Sequence, residues 1–143
     1  MARHSNVHIP LRWGRRRIDM QKQPIKILVV DDFETGALAM MDYLSLEDMD
    51  CRTAASGTEA VAVGVAWSPD IILMDISMPK FSGFQAARAV RSNVLTRNTV
   101  IIAFTALSAE QVRRDIVDDE FDGYFQKGQS PDGLLAFIKT ITS

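Results

Sequence analysis

Four apolar, strand-like runs in this chain each end on a residue able to serve a charged ligand, and that regularity limits the folds open to it. Ile27-Leu28-Val29-Val30 leads into Asp31-Asp32, Ile71-Ile72-Leu73-Met74 into Asp75, Val100-Ile101-Ile102-Ala103-Phe104 into Thr105, and Tyr124-Phe125-Gln126 into Lys127. If the strands are parallel neighbours, their carboxyl ends share one edge of the sheet, where open α/β folds bind ligands. Residues far apart in sequence then meet in one pocket.

From Ile25 onward, strand-like and helix-like segments alternate with short connections. The pattern predicts strands over 25–30, 50–54, 71–75, 100–104 and 123–126, and helices over 35–47, 57–67, 82–92, 108–117 and 131–141. Punctuation agrees: Ser56-Gly57-Thr58-Glu59 opens the second helix, and Ser130-Pro131-Asp132 places proline at the first position of the fifth. Leu134, Leu135, Ile138 and Ile141 recur at helical spacing and give that last helix one buried face. Five such repeats with near-continuous apolar strands predict an α/β fold: a doubly wound, flavodoxin-like (βα)5 parallel sheet in the order 2-1-3-4-5.

At 143 residues the chain reads as one domain. Residues 1–24 carry six Lys/Arg against Asp19 alone, whereas residues 25–143 carry ten against seventeen acids. The first segment lacks periodicity and is expected to be a basic, disordered tail, with its purpose open. It has no apolar core of a secretory signal. The remainder is acidic, which argues against direct DNA binding, and no apolar run approaches a membrane span. A cytoplasmic location is expected. Cys51 alone cannot form an intramolecular disulfide, and its strand position predicts a buried, inert thiol. His4 and His8 both lie in the tail, so the folded part has no imidazole for a Ser-His-Asp triad or a zinc site.

In the predicted order, Asp31 and Asp32 stand one strand from Asp75, Thr105 one strand away on the other side, and Lys127 two strands away. That last gap of about 10 Å needs a long side chain to close it. Carboxylates crowded this way repel: two unit charges about 5 Å apart at an effective dielectric near 20 cost roughly 3 kcal/mol. A hard divalent cation such as Mg²⁺, which takes oxygen ligands, relieves that repulsion. Lys127 and Thr105 then complete a clamp for a transferring phosphoryl group. With neither Cys nor His at the pocket, the central carboxylate, Asp75, is the best-placed nucleophile.

These residues resemble the receiver domain of two-component response regulators. The likeness runs from about Ile25 to Ile141 and rests on Asp31-Asp32, Asp75-Ile76-Ser77-Met78-Pro79 with Gly83 after it, Thr105-Ala106, and Lys127 with Tyr124 three residues earlier. It implies that Asp75 accepts a phosphoryl group from a sensor histidine kinase or a histidine phosphotransfer protein. It also implies that Asp32, Asp75 and the Ser77 carbonyl bind Mg²⁺ directly, with Asp31 acting through metal-bound water. Thr105 and Tyr124 are then switch residues that alter the face built from the fourth helix, fifth strand and fifth helix. The chain stops two residues after Ile141, so a stand-alone receiver is expected, not an enzyme acting on other molecules. It signals by binding a downstream protein target, with homodimerisation through the same face left open.

One departure from the family pattern is Gly128 after Lys127, where proline in a cis peptide is usual. A non-proline cis bond costs about 2.5–4 kcal/mol, so a trans loop, looser than is usual in the family, is expected after Lys127. A receiver-like interaction module that no longer cycles phosphate is the alternative reading. A haloacid-dehalogenase-type phosphatase needs a second Asp where Ser77 stands, and a flavodoxin-like cofactor binder needs a Ser/Thr/Gly phosphate loop where Asp31-Asp32-Phe33-Glu34 stands. Neither Ser77 nor Leu107, two residues past Asp75 and Thr105, suits the orientation of an attacking water. Slow self-dephosphorylation follows, and a phosphoryl half-life of only seconds in purified protein would contradict it.

Overall fold

The structure, a computed structural model, describes residues 10–19 and 24–142. The central strands are β2 (Lys26–Val30), β4 (Ile71–Met74) and β5 (Val100–Thr105). The last two have every residue buried, as a strand covered on both faces requires. β3 (Asp50–Ala54) lies at one edge and shows alternating exposure, and β6 (Gly123–Gln126) follows β5 on the other side. These five strands are parallel and stand in the expected order.

Because side chains alternate across a strand, the sheet divides its apolar residues between two cores. Leu28, Val30, Ile72, Met74, Ile101 and Ala103 face one side with Ala86, Ala87, Val90 and Val112, from α3 (Gly83–Ser92) and α4 (Ala109–Asp115). α2 (Gly57–Trp67) covers the same side. Ile27, Val29, Ile71, Leu73, Ile102 and Phe125 face the other, against α1 (Glu34–Ser45) and α5 (Pro131–Thr140).

Serines start four of the helices. Ser56, Ser82, Ser108 and Ser130 each accept a backbone N–H from the first turn, and Ser82 and Ser108 form reciprocal capping boxes with Gln85 and Gln111. Helix α1 is the exception, with Phe33 at its cap position and no side-chain cap.

Part of the predicted tail is ordered. Leu11–Arg12 forms a short strand, β1, antiparallel to β6, so the sheet has six strands in the order β1-β6-β5-β4-β2-β3. The N–H groups of Trp13 and Gly14 continue onto the Asp122 carbonyl at 2.8 and 2.9 Å, and Ile18 is buried with its N–H on the Ile141 carbonyl. The expectation of disorder fails here for a physical reason: β6 would otherwise be an edge strand with unpaired backbone groups, and the segment pairs with them. Residues 1–9 and 20–23, the rest of the predicted tail, lie outside the described residues. Cys51 is half-buried, not fully buried, and burial pushes its thiol pKa up.

The basic segment is also tied down electrostatically. Asp122 is buried, accepts the Ile101 N–H at 3.0 Å, and pairs with Arg91 and Arg16 at 3.0 Å each. Removing that carboxylate leaves two guanidinium groups and a buried N–H without their acceptor. Asp122→Ala should therefore lower stability by about 3 kcal/mol in urea unfolding.

Candidate functional site

The register of the parallel strands assembles the acidic cluster. Val30 partners Met74, so the next residues, Asp31 and Asp75, emerge side by side at the carboxyl edge. Their backbones are still held by the ladder, with the Asp31 N–H on Ala54 and the Asp75 N–H on Val30, each at 3.0 Å. Asp31, Asp32 and Asp75 each offer an oxygen within 4.8 Å of the others. Asp31 and Asp75 are buried whereas Asp32 is exposed at the mouth.

Each carboxylate has distinct surroundings. Asp31 accepts the Phe33 N–H at 2.9 Å through Oδ1 and meets Lys127 Nζ at 2.7 Å through Oδ2. Both its oxygens are engaged, and it turns the chain into α1 without capping it. Asp75 accepts the Ser77 N–H at 3.2 Å through Oδ1 and lies 3.3 Å from Lys127 Nζ through Oδ2. This turn brings the Ser77 backbone beside the central carboxylate.

Lys127 does reach across the strand gap. Its N–H donates to the Thr105 carbonyl at 2.8 Å, which anchors the start of the loop after β6. Gly128 takes up the next turn at φ 91°, a conformation suited to glycine. The substitution of glycine for the family's proline therefore leaves the ammonium between Asp31 and Asp75. Burial alone would lower the lysine pKa, but the hydrogen bond to Asp31 and the charges of both acids outweigh it, and the net shift is upward.

Thr105 is fully buried at the end of β5, one strand from β4 and one residue further along, because Ala103 partners Met74. Its Oγ1 accepts the Leu107 N–H at 3.3 Å. Tyr124 is also buried, and its hydroxyl donates to the Leu107 carbonyl at 2.6 Å. Leu107 thus links the two residues expected to act as a switch. Gly83, at the start of α3, packs so closely on the backbone after β4 that a Cβ there would collide with the Asp75 carbonyl.

A profile of the response regulator receiver domain matches residues 27–139. The chain belongs to the response regulator receiver family. The receiver domain is 30% identical over 117 residues to response regulator PleD of Caulobacter vibrioides, a match covering 82% of this chain and 26% of PleD. The chain thus spans about a quarter of that relative's length. Among solved structures, it resembles TrrA of Thermotoga maritima in complex with Mg²⁺-BeF, with a TM-score of 0.74, 30% identity, and coverage of 82% of this chain and 98% of that one. It also resembles chemotaxis protein CheY4 of Vibrio cholerae, with a TM-score of 0.74, 26% identity and the same two coverages. Among the described residues, no helix is long and apolar enough to cross a membrane.

Asp31, Asp32, Asp75, Thr105 and Lys127, named from the sequence, all lie at this edge, whereas sequence reasoning missed Trp13, whose ring stacks on Tyr124 with centroids 5.4 Å apart. No alternation or capping pattern marks Trp13, because its partner lies more than a hundred residues away.

Burial, reinforced by the charge of Asp31 and only partly offset by Lys127, holds the Asp75 carboxyl above its ordinary pKa of 3.8. The folded protein therefore keeps the Asp75 proton to higher pH than the unfolded chain does. Its contribution to stability falls as pH rises from 3.8 through the raised value, and stays reduced above it. In metal-free protein at neutral pH, Asp75→Asn should raise the melting temperature by about 2–4 °C, as read by calorimetry.

Proposed function

We propose that this receiver domain is a phosphorylation switch in which Asp75 is the phosphoacceptor and Asp31, Asp32, Thr105 and Lys127 serve the transfer. The observation that carries the reading is the position of Lys127 Nζ, shared between Asp31 and Asp75 at 2.7 and 3.3 Å beside an acidic cluster. An ion pair formed only for packing needs one carboxylate. Here three are gathered, and one cation cannot neutralise them.

The donor set fits Mg²⁺: carboxylate oxygens of three acids within 4.8 Å of one another. As the family resemblance implies, Asp32 and Asp75 with the Ser77 carbonyl would hold the ion, and Asp31 would act through bound water. When bound, Mg²⁺ offsets carboxylate repulsion and the charge on the transferring group.

The protein's own groups account for the rest. An Asp75 oxygen attacks phosphorus, forming an O–P bond as the P–N bond of a phosphohistidine breaks and the electron pair leaves on the imidazole nitrogen. Lys127 supplies a fixed positive charge beside the attacked group. Thr105 Oγ1 accepts a hydrogen bond but donates to no protein group among the described residues, so its proton is available to a phosphoryl oxygen. The donor would be a sensor histidine kinase or a histidine phosphotransfer protein. The chain is then a phosphoacceptor that assists only its own phosphorylation and dephosphorylation, and it signals through protein binding at the α4-β6-α5 face.

The alternative, a binding module that no longer cycles phosphate, drew on a lysine loosened by Gly128. The position of Lys127 Nζ, 2.7 Å from Asp31 and 3.3 Å from Asp75, supports the phosphoswitch over that reading.

Incubation with Mg²⁺ and acetyl phosphate should add one phosphoryl group by intact mass, and Asp75→Asn should add none. Lys127→Ala should slow the reaction by at least about tenfold, the effect of losing roughly 1.4 kcal/mol of transition-state stabilisation. Absence of any adduct on the parent protein, with acetyl phosphate and with phosphohistidine donors alike, would favour the binding-only module. Mg²⁺ at ten times its Kd should stabilise the fold by about 1.4 kcal/mol, and Asp32→Ala should abolish most of that gain.

A further inference from the structure

The α4-β6-α5 face is already occupied, by the chain itself. Leu11–Arg12 pair with β6 as an added antiparallel strand, the Trp13 and Gly14 N–H groups continue onto Asp122, and the chain then crosses to the end of α5, where Ile18 is buried. Trp13 covers the β6 and α4 part of this face: its ring stacks on Tyr124 at an interplanar angle of 26°, and the Arg113 guanidinium of α4 sits 5.2 Å from its centroid. Arg16 fixes the segment from below through its 3.0 Å pair with buried Asp122.

An unbroken line of contacts joins this arm to the phosphorylation site. Thr105 Oγ1 accepts from the Leu107 N–H, the Leu107 carbonyl accepts from the Tyr124 hydroxyl, and the Tyr124 ring carries Trp13. Tyr124 cannot turn outward while Trp13 is stacked on it. In the docked form, Thr105 still has its proton to give, so a phosphoryl group can take that hydrogen bond without the loop after β5 being rebuilt.

From this geometry we propose that the N-terminal arm is a regulated intramolecular ligand of the α4-β6-α5 face, docked more tightly when Asp75 carries a phosphoryl group. The proposal rests on the phosphoswitch reading above. The arm holds Tyr124 inward, the inward form is the one preorganised for the phosphoryl group, and binding at one end must favour the other by the same factor. A protein partner that uses this face then competes with the arm, and does so less readily in the phosphorylated protein.

Hydrogen exchange on the full chain tests this with Mg²⁺ and beryllofluoride as the phosphoryl mimic. Fluorine NMR reports independently whether the mimic is bound. The Trp13, Gly14 and Ile18 amides report arm docking, because each donates to β6-side or α5-side backbone. With the mimic bound, their exchange should slow by about fivefold or more. Trp13→Ala should weaken beryllofluoride affinity by the same factor, and Trp13→Phe, which keeps a stacking ring, should restore most of it. Bound fluoride with unchanged or faster exchange, or parental affinity in Trp13→Ala, overturns the coupling while leaving the phosphoswitch intact. No bound-fluoride signal in the parent protein overturns both.

Discussion

Crowding of negative charge at one edge of the sheet governs the chemistry of this protein. The parallel register that packs Val30 against Met74 also forces Asp31 and Asp75 together, and Asp32 joins them at the mouth. Hydrophobic burial of the strands overcomes that repulsion, and Lys127 relieves part of it. Burial of Asp75, with the charge of Asp31 added to it, keeps that carboxyl above its ordinary pKa despite the lysine. A site kept short of positive charge is one that a divalent cation and a transferring phosphoryl group can complete.

The opposite charge imbalance in the N-terminal segment has a structural counterpart. The acidic body presents buried Asp122 at the start of β6, and Arg16 from the segment meets it together with Arg91. Backbone pairing to β6 and stacking on Tyr124 add directional contacts to that attraction. An edge strand that would otherwise offer free backbone groups to other chains is covered, and Trp13 of the cover rests on the Tyr124 ring.

The acidic edge of the sheet was legible from the sequence because strand ends are legible. A run such as Ile71-Ile72-Leu73-Met74 has no polar residue until Asp75, and a fully buried strand must stop where a charge appears. The serine-led helix starts at Ser56 and Ser130 were equally readable, since an N-cap acts within three residues of itself. The loop after Lys127 was read as looser than the structure shows. Its lysine is set by the bond from its own N–H to Thr105 and by two carboxylates on other strands, not by the residue that follows it.

The sequence by itself determined the five-strand parallel sheet, the edge at which its charged residues meet, and the identities of those residues, because each depends on local patterns of burial and alternation. Only the tertiary structure decided that residues 11–18 belong to the fold. Their order comes from a strand edge, a buried acid and an aromatic ring that the chain supplies more than a hundred residues later, and no local pattern records a partner at that distance.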